Sequence, residues 1–481
     1  MTVYWTQVGL ICHVLLITYV FTRVLLRPHR EPTSRLAWMI VIATLPILGV
    51  VFYFLLGETN IGIKRSIRMR EIQTQNFIGL ADQTQVPFNQ LPERYQHLFN
   101  MGQSANGFAP VGGNQAAIME SSEATIDQMV TDIDQAQSHV HILFYIWLTD
   151  HSGGQIVEAL IRAAQRGVTC RVLVDALGSR AMTHSKHWKR MHAAGIHLAS
   201  ALPISHPLIR MVFGRLDLRN HRKIVIIDQA ITFCGSQNCA DAAFAVKAKF
   251  APWVDMVLRF TGPIVRQNQQ LFASDWQAAT GEQLSDLIHS FPLDPVISHQ
   301  CPAQVIGTGP TVRNAAMSDV FLALITSAWH ELTITTPYFV PNEALHSALC
   351  AAARCGVRVN LILPQRNDSW VVAAASRSYY LDLLRAGVHI YEYVGGLLHT
   401  KSLTVDGQIS LVGSANMDRR SFDLNYENNI LFYDADLTQA IMKRQQHYIA
   451  SSVPVTVQQV KAWSKPKQLW NNLLAIMGPI L

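Results

Sequence analysis

A chain of 481 residues with 49% hydrophobic and only 15% charged residues is too apolar for a disordered acidic or basic protein, and its length accommodates about three domains. The net charge of +6 favours an anionic contact such as phosphate, nucleic acid or an acidic membrane. The seven cysteines, Cys12, Cys170, Cys234, Cys239, Cys301, Cys350 and Cys355, are scattered and never form a CxxC pair, so neither a zinc site nor a disulfide framework is read from them.

The chain opens with VYWTQVGLICHVLLITYVFTRVLL (3–26), nearly uncharged and long enough to span a bilayer. A second apolar stretch, LAWMIVIATLPILGVVFYFLLG (36–57), follows after the short link RPHREPTSR, and Pro46 within it is tolerable in a transmembrane helix. A cleaved signal peptide fits poorly, because the first stretch is too long, lacks an early Lys or Arg and is followed at once by another. Residues 1–57 are therefore expected to form a two-helix transmembrane hairpin. Arg27, Arg30 and Arg35 lie in the link, and Lys64, Arg65, Arg68 and Arg70 follow the second span. That balance favours a multi-pass protein whose C-terminal body faces the cytoplasm. Residues 58–115, polar and rich in Gln and Asn, read as a connector.

Strands and helices then alternate. HVHILFYIWL (139–148) reads as a buried strand, GGQIVEALIRAAQRG (153–167) as a helix and VTCRVLVDAL (168–177) as a second strand. This order predicts an α/β fold with a parallel-type sheet covered by helices. AAARCGVRVNLILP (351–364) echoes RAAQRGVTCRVLVD (162–175), and LRAGVHIYEYV (384–394) echoes HAAGIHLASAL (192–202). Ordered echoes about 180–190 residues apart indicate a duplication, giving one domain over 116–295 and a second over 296–481. The apolar end QLWNNLLAIMGPIL (468–481) is either an interfacial helix or a strip packed on the body.

Each half carries H-x-K-x-x-x-x-D: His221, Lys223 and Asp228, then His399, Lys401 and Asp406. Residues two apart on a strand share a face, so each His and Lys project together, with Val225 and Ile227 or Leu403 and Val405 continuing that face inward. Asp406-Gly407 reads as a tight turn, and Asp228-Gln229 occupies the same place. Gly-Ser-x-Asn follows in both halves, with Ser236 and Asn238 and with Ser414 and Asn416, and a carboxylate comes later, Asp255 and Glu427. Histidine can serve as nucleophile, acid or base near neutrality. Lysine supplies charge for phosphate oxygens, and Ser and Asn supply neutral donors. A carboxylate accepting from Nδ1–H would fix the tautomer that presents Nε2. A lone His-x-Lys is usually a solvated strand edge, but two in matched positions with the same trailing residues are not readily coincidental. Facing each other across a pseudo-twofold axis, the sets would form one site suited to phosphoryl transfer through a covalent histidine, without a metal.

The paired motifs resemble the phospholipase D superfamily. The hairpin strings SRLAWMIV and LPILGVVFYFLLG, NHRKIVIID, TPYFVPNEAL, ASRSYYLDLLRAGVHIYEY and GSANMDRRSFDLNYE make the chain similar to its bacterial cardiolipin synthases. Asp-Gln replaces the family's usual Asp-Gly after the first motif, and GSQNCADAAF replaces the commoner Gly-Gly-x-Asn-Ile-Gly-Asp loop. The resemblance implies two pseudo-symmetric α/β/α domains and phosphatidyl transfer between two phosphatidylglycerol molecules, giving cardiolipin and glycerol with no cofactor and no metal. It implies His221 as nucleophile, His399 as acid/base, Lys223 and Lys401 as phosphate clamps helped by Ser236, Asn238, Ser414 and Asn416, and Asp255 and Glu427 as histidine-orienting groups. Asp228 and Asp406 complete the motif and, at strand-end turns, favour a structural part. Tyr338, Arg377 and Tyr379 either line the lipid pocket or pack. The implied setting is the bacterial inner membrane, with no nucleic-acid partner. A nuclease or other phosphodiesterase, and a catalytically silent membrane scaffold, are the rival readings.

Overall fold

The computed structural model describes residues 2–28, 32–58, 67–69, 71–72, 86–203, 217–284 and 300–476. At the N-terminus, α1 (Thr2–Leu26) contains an apolar run, Tyr4–Leu26, long enough to cross a membrane. The second stretch, expected as one span, is broken. It forms α2 (Pro32–Thr44), α3 (Pro46–Phe52) and a π-helical turn, Tyr53–Gly57. The break falls at Leu45, whose ψ of 70° leaves the helical range because the ring of Pro46 disfavours it. Val20, Val24, Trp38, Ile42 and Tyr53 pack inward, whereas Leu10, Ile11, Leu15, Ile47 and Leu48 are exposed. The segment thus turns apolar side chains outward around a small apolar interior, and among the described residues α1 is the helix long and apolar enough to cross a membrane. Arg23 pairs with buried Glu58 at 2.6 Å. Lys64, Arg65 and Arg70, used above for orientation, lie outside the described residues, as does much of the stretch expected to be a connector.

The rest of that stretch differs from expectation. Glu93–Asn106 is a helix, α4, which buries Tyr95, Leu98, Phe99 and Ala105 in the same core as Ile306, Leu324 and Leu332. It belongs to the body because these residues recur at helical spacing on one face.

The body contains two large sheets. The first comprises β1 (Gln115–Ile118), β2 (His139–Phe144), β3 (Thr169–Asp175), β4 (His197–Ala201), β5 (Ile224–Ile227), β6 (Ile231–Gly235) and β7 (Val257–Thr261), in spatial order β1-β7-β6-β5-β2-β3-β4. The second comprises β8 (Ala303–Thr308), β9 (Glu331–Thr335), β10 (Arg358–Pro364), β11 (His389–Tyr393), β12 (Ser402–Val405), β13 (Ile409–Gly413) and β14 (Asn425–Tyr433), in order β8-β14-β13-β12-β9-β10-β11, with β15 (Ser452–Val455) added beyond β11. Strand by strand the two orders coincide. Among these strands β2-β3-β4 and β9-β10-β11 are parallel and the other pairings are antiparallel, so each sheet is mixed where a parallel-type sheet was expected. The cause is the hairpin closing each H-x-K strand. Asp228 and Gln229, like Asp406 and Gly407, all have positive φ, as a type I′ turn demands.

Helices cover both faces. On the outer face of the first sheet lie α5 (Ser122–Gln135) and α6 (His151–Gln165). Asp150 caps α6 by accepting from Gly153 N–H, and Ile156, Val157 and Leu160 are buried against Ile142, Val172 and Val225. Each such side chain contributes roughly 1.5–3 kcal/mol. Equivalent positions on the second sheet are filled by α8 (Ala316–Ser327) and α9 (Glu343–Arg354). α7 (Ile264–Thr280) packs on the inner face of the first sheet and against β8. Its counterpart α11 (Ala435–Ala450), numbered after α10 (Trp370–Ser378), packs on the second sheet and against β1. α12 (Lys465–Ile476) ends the described chain.

Candidate active site

The site forms where each half lends a strand to the other. Arg219–Asn220 pairs in parallel with Asn425–Tyr426 at the head of β14, and Leu397–Leu398 pairs with Trp253–Val254. His221 N–H donates to Tyr426 O at 2.9 Å, and His399 N–H to Val254 O at 2.8 Å. Each H-x-K segment thus runs beside the residues leading to the other half's late carboxylate.

The histidine–carboxylate pairs cross accordingly. His221 Nδ1 lies 2.9 Å from Glu427 Oε2, and His399 Nδ1 lies 2.7 Å from Asp255 Oδ1. Both carboxylates are fixed from behind by the serines of the Gly-Ser-x-Asn loops: Ser236 Oγ donates to Asp255 at 2.6 Å and Ser414 Oγ to Glu427 at 2.5 Å. This corrects the expectation that these serines meet phosphate, because their protons are committed to the carboxylates. Asn238 Oδ1 accepts from Ile146 N–H at 3.3 Å, while Asn416 Oδ1 is buried without a partner.

Lys223 and Lys401 each donate back to the carbonyl of their own motif histidine, at 2.7 and 2.6 Å. Both are buried. Burial lowers Lys223 to about 8 against the pull of Glu427 and Asp255, and burial together with the charge of Lys223 lowers Lys401 to about 7. Burial also brings each histidine to about 4, with Glu427 opposing the shift at His221 and Asp255 opposing it at His399. The two carboxyls, which burial alone would raise, stay below their ordinary range because the facing histidines, the lysines and the serines outweigh it. Near pH 7 the site therefore holds two neutral imidazoles oriented through Nδ1, two carboxylates, a Lys223 that is mostly charged and a Lys401 that is about half protonated.

Aromatic rings frame both imidazoles. Tyr145 sits edge-on to His221 at 4.9 Å, and Trp253 lies 4.6 Å from His399 and stacks on Phe244. Tyr338 donates to Asp368 at 2.7 Å, and Asp368 is close enough to influence Lys401. Arg377 instead binds the Gln365 carbonyl, and Tyr379 the Pro341 carbonyl, so both pack the second half.

Asp228 and Asp406 are not at the site. They lie at the opposite ends of β5 and β12, and their carboxylates bind backbone N–H groups: Gln137, Ser138 and His139 for Asp228, Trp329, His330 and Glu331 for Asp406. Although they belong to the same motif as the catalytic His and Lys, they are set apart from the chemistry, since those oxygens are occupied in tying the H-x-K segment to its neighbour.

One buried group was not anticipated. Arg222, between His221 and Lys223 in the segment that leads into β5, pairs with Asp275 of α7 at 2.6 Å while donating to the carbonyls of Glu427 and Thr308. Asn220 also donates to Asp275, at 2.9 Å. The basic run NHRK was visible, but the partner of its central arginine lies far along the chain.

A family description, "Cardiolipin synthase, PLD-like domain", matches residues 129–276 and 321–449, and "Phospholipase_D-nuclease N-terminal" matches residues 14–58. The chain belongs to the cardiolipin synthase family of phospholipase D-like proteins. It is 36% identical to cardiolipin synthase A of Edwardsiella ictaluri over 91% of this chain and 90% of that relative. It is 35% identical to cardiolipin synthase A of Yersinia pseudotuberculosis over 95% of this chain and 94% of the relative. The fold is shared with the phosphatidylserine synthase structure from Haemophilus influenzae, with a TM-score of 0.60 at 14% identity over 81% of this chain and 100% of that one.

Proposed function

We propose that the protein is a cardiolipin synthase that moves a phosphatidyl group from one phosphatidylglycerol to the hydroxyl of another through a phosphatidyl-histidine. The reading is carried by the crossed pairing, in which each imidazole has its Nδ1 engaged by the other half's carboxylate and its Nε2 left for the reacting phosphorus or a proton. His221 Nε2 attacks the donor phosphorus, and the P–O bond to glycerol breaks as His399 gives that oxygen a proton. Free glycerol leaves. His399 then takes the proton of the acceptor hydroxyl, whose oxygen displaces His221 from phosphorus and yields cardiolipin. Lys223 and Lys401 neutralise the phosphoryl oxygens.

Charge balance supports the scheme. At pH 7 two carboxylates, a mostly charged Lys223 and a half-protonated Lys401 leave the site slightly negative to neutral. A phosphodiester adds one negative charge, and one proton on His399 restores the balance. Substrate thus lifts the His399 imidazole from about 4 towards the range a general acid needs.

Both substrates are bilayer lipids, and the N-terminal segment would hold the enzyme where it meets them laterally. We read that segment as a two-pass inner-membrane anchor whose kinked second helix still crosses. The lysine and arginines that follow it support a cytoplasmic body. Detergent-purified protein incubated with labelled phosphatidylglycerol alone is expected to give cardiolipin and glycerol. Phosphatidic acid as sole product would make the enzyme a hydrolase, and no turnover would remove the enzymatic reading.

A further inference from the structure

The C-terminal helix shows two faces. On the inner one, Asn471 and Leu474 are buried and Ala475 packs on the Val340–Val372–Ala375 cluster. On the outer one, Leu469 is 71% exposed, Leu473 52% and Ile476 72%, at the i, i+4, i+7 spacing of one continuous stripe. Trp470 beside that stripe stacks on Trp370 of α10 with centroids 5.9 Å apart, and both indoles are substantially exposed. Neither sequence alternative for this tail suffices alone, because the helix is packed on the body and also presents an apolar face outward.

The surroundings indicate what covers that face. Lys461, Lys465 and Lys467 are exposed along the same terminal segment. α10 begins two residues after Asp368, which binds Tyr338 and pairs with Lys247 at 2.5 Å. Lys247 lies on a loop of the first half that also exposes Val246 and Lys249, and Arg366 donates to the Lys249 carbonyl. Exposed aliphatic and indole side chains interspersed with lysine and arginine thus run from α12 to the carboxylate that acts on Lys401. Tryptophan with aliphatic residues and flanking cations is the composition that seats in the headgroup and upper acyl layer of an anionic membrane. A protein partner would not need this basic fringe.

We infer that α12, with Trp370 and the Val246–Lys249 loop, is a second bilayer contact, one that lays the body's rim on an anionic leaflet beside the site. The inference builds on the reading that substrate is a membrane lipid, but its test does not depend on turnover.

In full-length protein carrying Cys12→Ser and Cys355→Ser, Leu473→Cys or Leu469→Cys is labelled with an environment-sensitive fluorophore, and Gln439→Cys, exposed on α11, serves as reference. The protein is reconstituted in nanodiscs of phosphatidylglycerol and phosphatidylcholine with or without lipids brominated near the headgroup end of the acyl chain. Labels at 469 and 473 are expected to shift to the blue and lose at least half their emission to brominated lipid, less so in phosphatidylcholine alone, while the label at 439 does neither. Solvent-exposed emission at 469 and 473 without quenching would overturn the inference. So would a blue shift without bromine quenching that strengthens with protein density, since a second copy would then cover the face. Circular dichroism melts of the labelled proteins separate either result from misfolding.

Discussion

At the level of single residues, the two histidines are alike in burial, in their Nδ1 partners and in their lowered proton affinity; what separates them is the half that supplies the carboxylate. Neutralising a carboxylate should therefore damage the histidine of the opposite half. In Glu427→Gln the amide can donate to Nδ1, leaving Nε2 protonated and unable to attack, whereas Asp255→Asn should impair the proton carrier. A kcat loss of about 10³–10⁴-fold is expected for Glu427→Gln, the scale seen when a triad carboxylate is neutralised. Intact-mass spectrometry divides the roles. His399→Ala is expected to accumulate a phosphatidyl adduct, while His221→Ala and Glu427→Gln form none. An adduct on His221→Ala but not on His399→Ala would exchange the two assignments.

Among the elements, the H-x-K strands owe their register to the aspartates at their far ends. Asp406 accepts from three backbone N–H groups and pairs with Arg94 of α4. Removing it orphans donors at the start of β9, at a cost of about 3 kcal/mol. Asp406→Ala should lower the unfolding midpoint in a thermal melt while the folded fraction keeps its lipid turnover at low temperature. Turnover lost with an unchanged midpoint would return Asp406 to the chemistry. This anchoring could be inferred from sequence only as a turn, because its acceptor geometry depends on a loop about 75 or 90 residues away. The repeat, the strand pattern and both H-x-K pairs were legible because their signals are local and doubled. Less legible was α4, which lies within a stretch rich in Gln and Asn, although Tyr95, Leu98, Phe99 and Gly102 keep helical spacing. In α7 the polar residues Gln267, Asn268, Gln269 and Asp275 are buried and bonded to Val305, Thr232, His141 and Arg222. Nothing local marks a polar side chain whose partner lies 36 to 128 residues away along the chain. At Ser236 and Ser414 the loop motif shows the hydroxyl but not which later carboxylate, 19 and 13 residues on, claims it.

Across the whole molecule the pseudo-symmetry extends beyond the motifs: Gln269 of α7 reaches His141 on β2, and Gln445 of α11 reaches the Thr333 carbonyl on β9. The halves differ in what they bury there. The first buries His139 and His141, which burial holds below their ordinary value, and the site buries His221 and His399, held at about 4. An unfolded chain protonates its histidines near 6.5, so below that pH the unfolded state binds more protons than the folded one and stability rises with pH. The contribution of these histidines is complete above about pH 6.5 and is lost as pH falls towards the folded values. Asp255, Glu427 and Asp406, held below their ordinary range, act in the same direction at lower pH. The lysines add to the slope from above: their buried ammonium groups are fully penalised below about 7 to 8, and the penalty eases as pH rises past those values. The unfolding midpoint of the protein in detergent should therefore climb steadily from pH 5 to 8. Inorganic phosphate, by pairing with Lys223, Lys401 and a protonated histidine, should raise the midpoint most near pH 6 and so flatten the climb, and Lys401→Met should lose most of that protection. A midpoint that is level or falls over this range would mean that water, or a compensating proton, reaches these histidines in the folded protein.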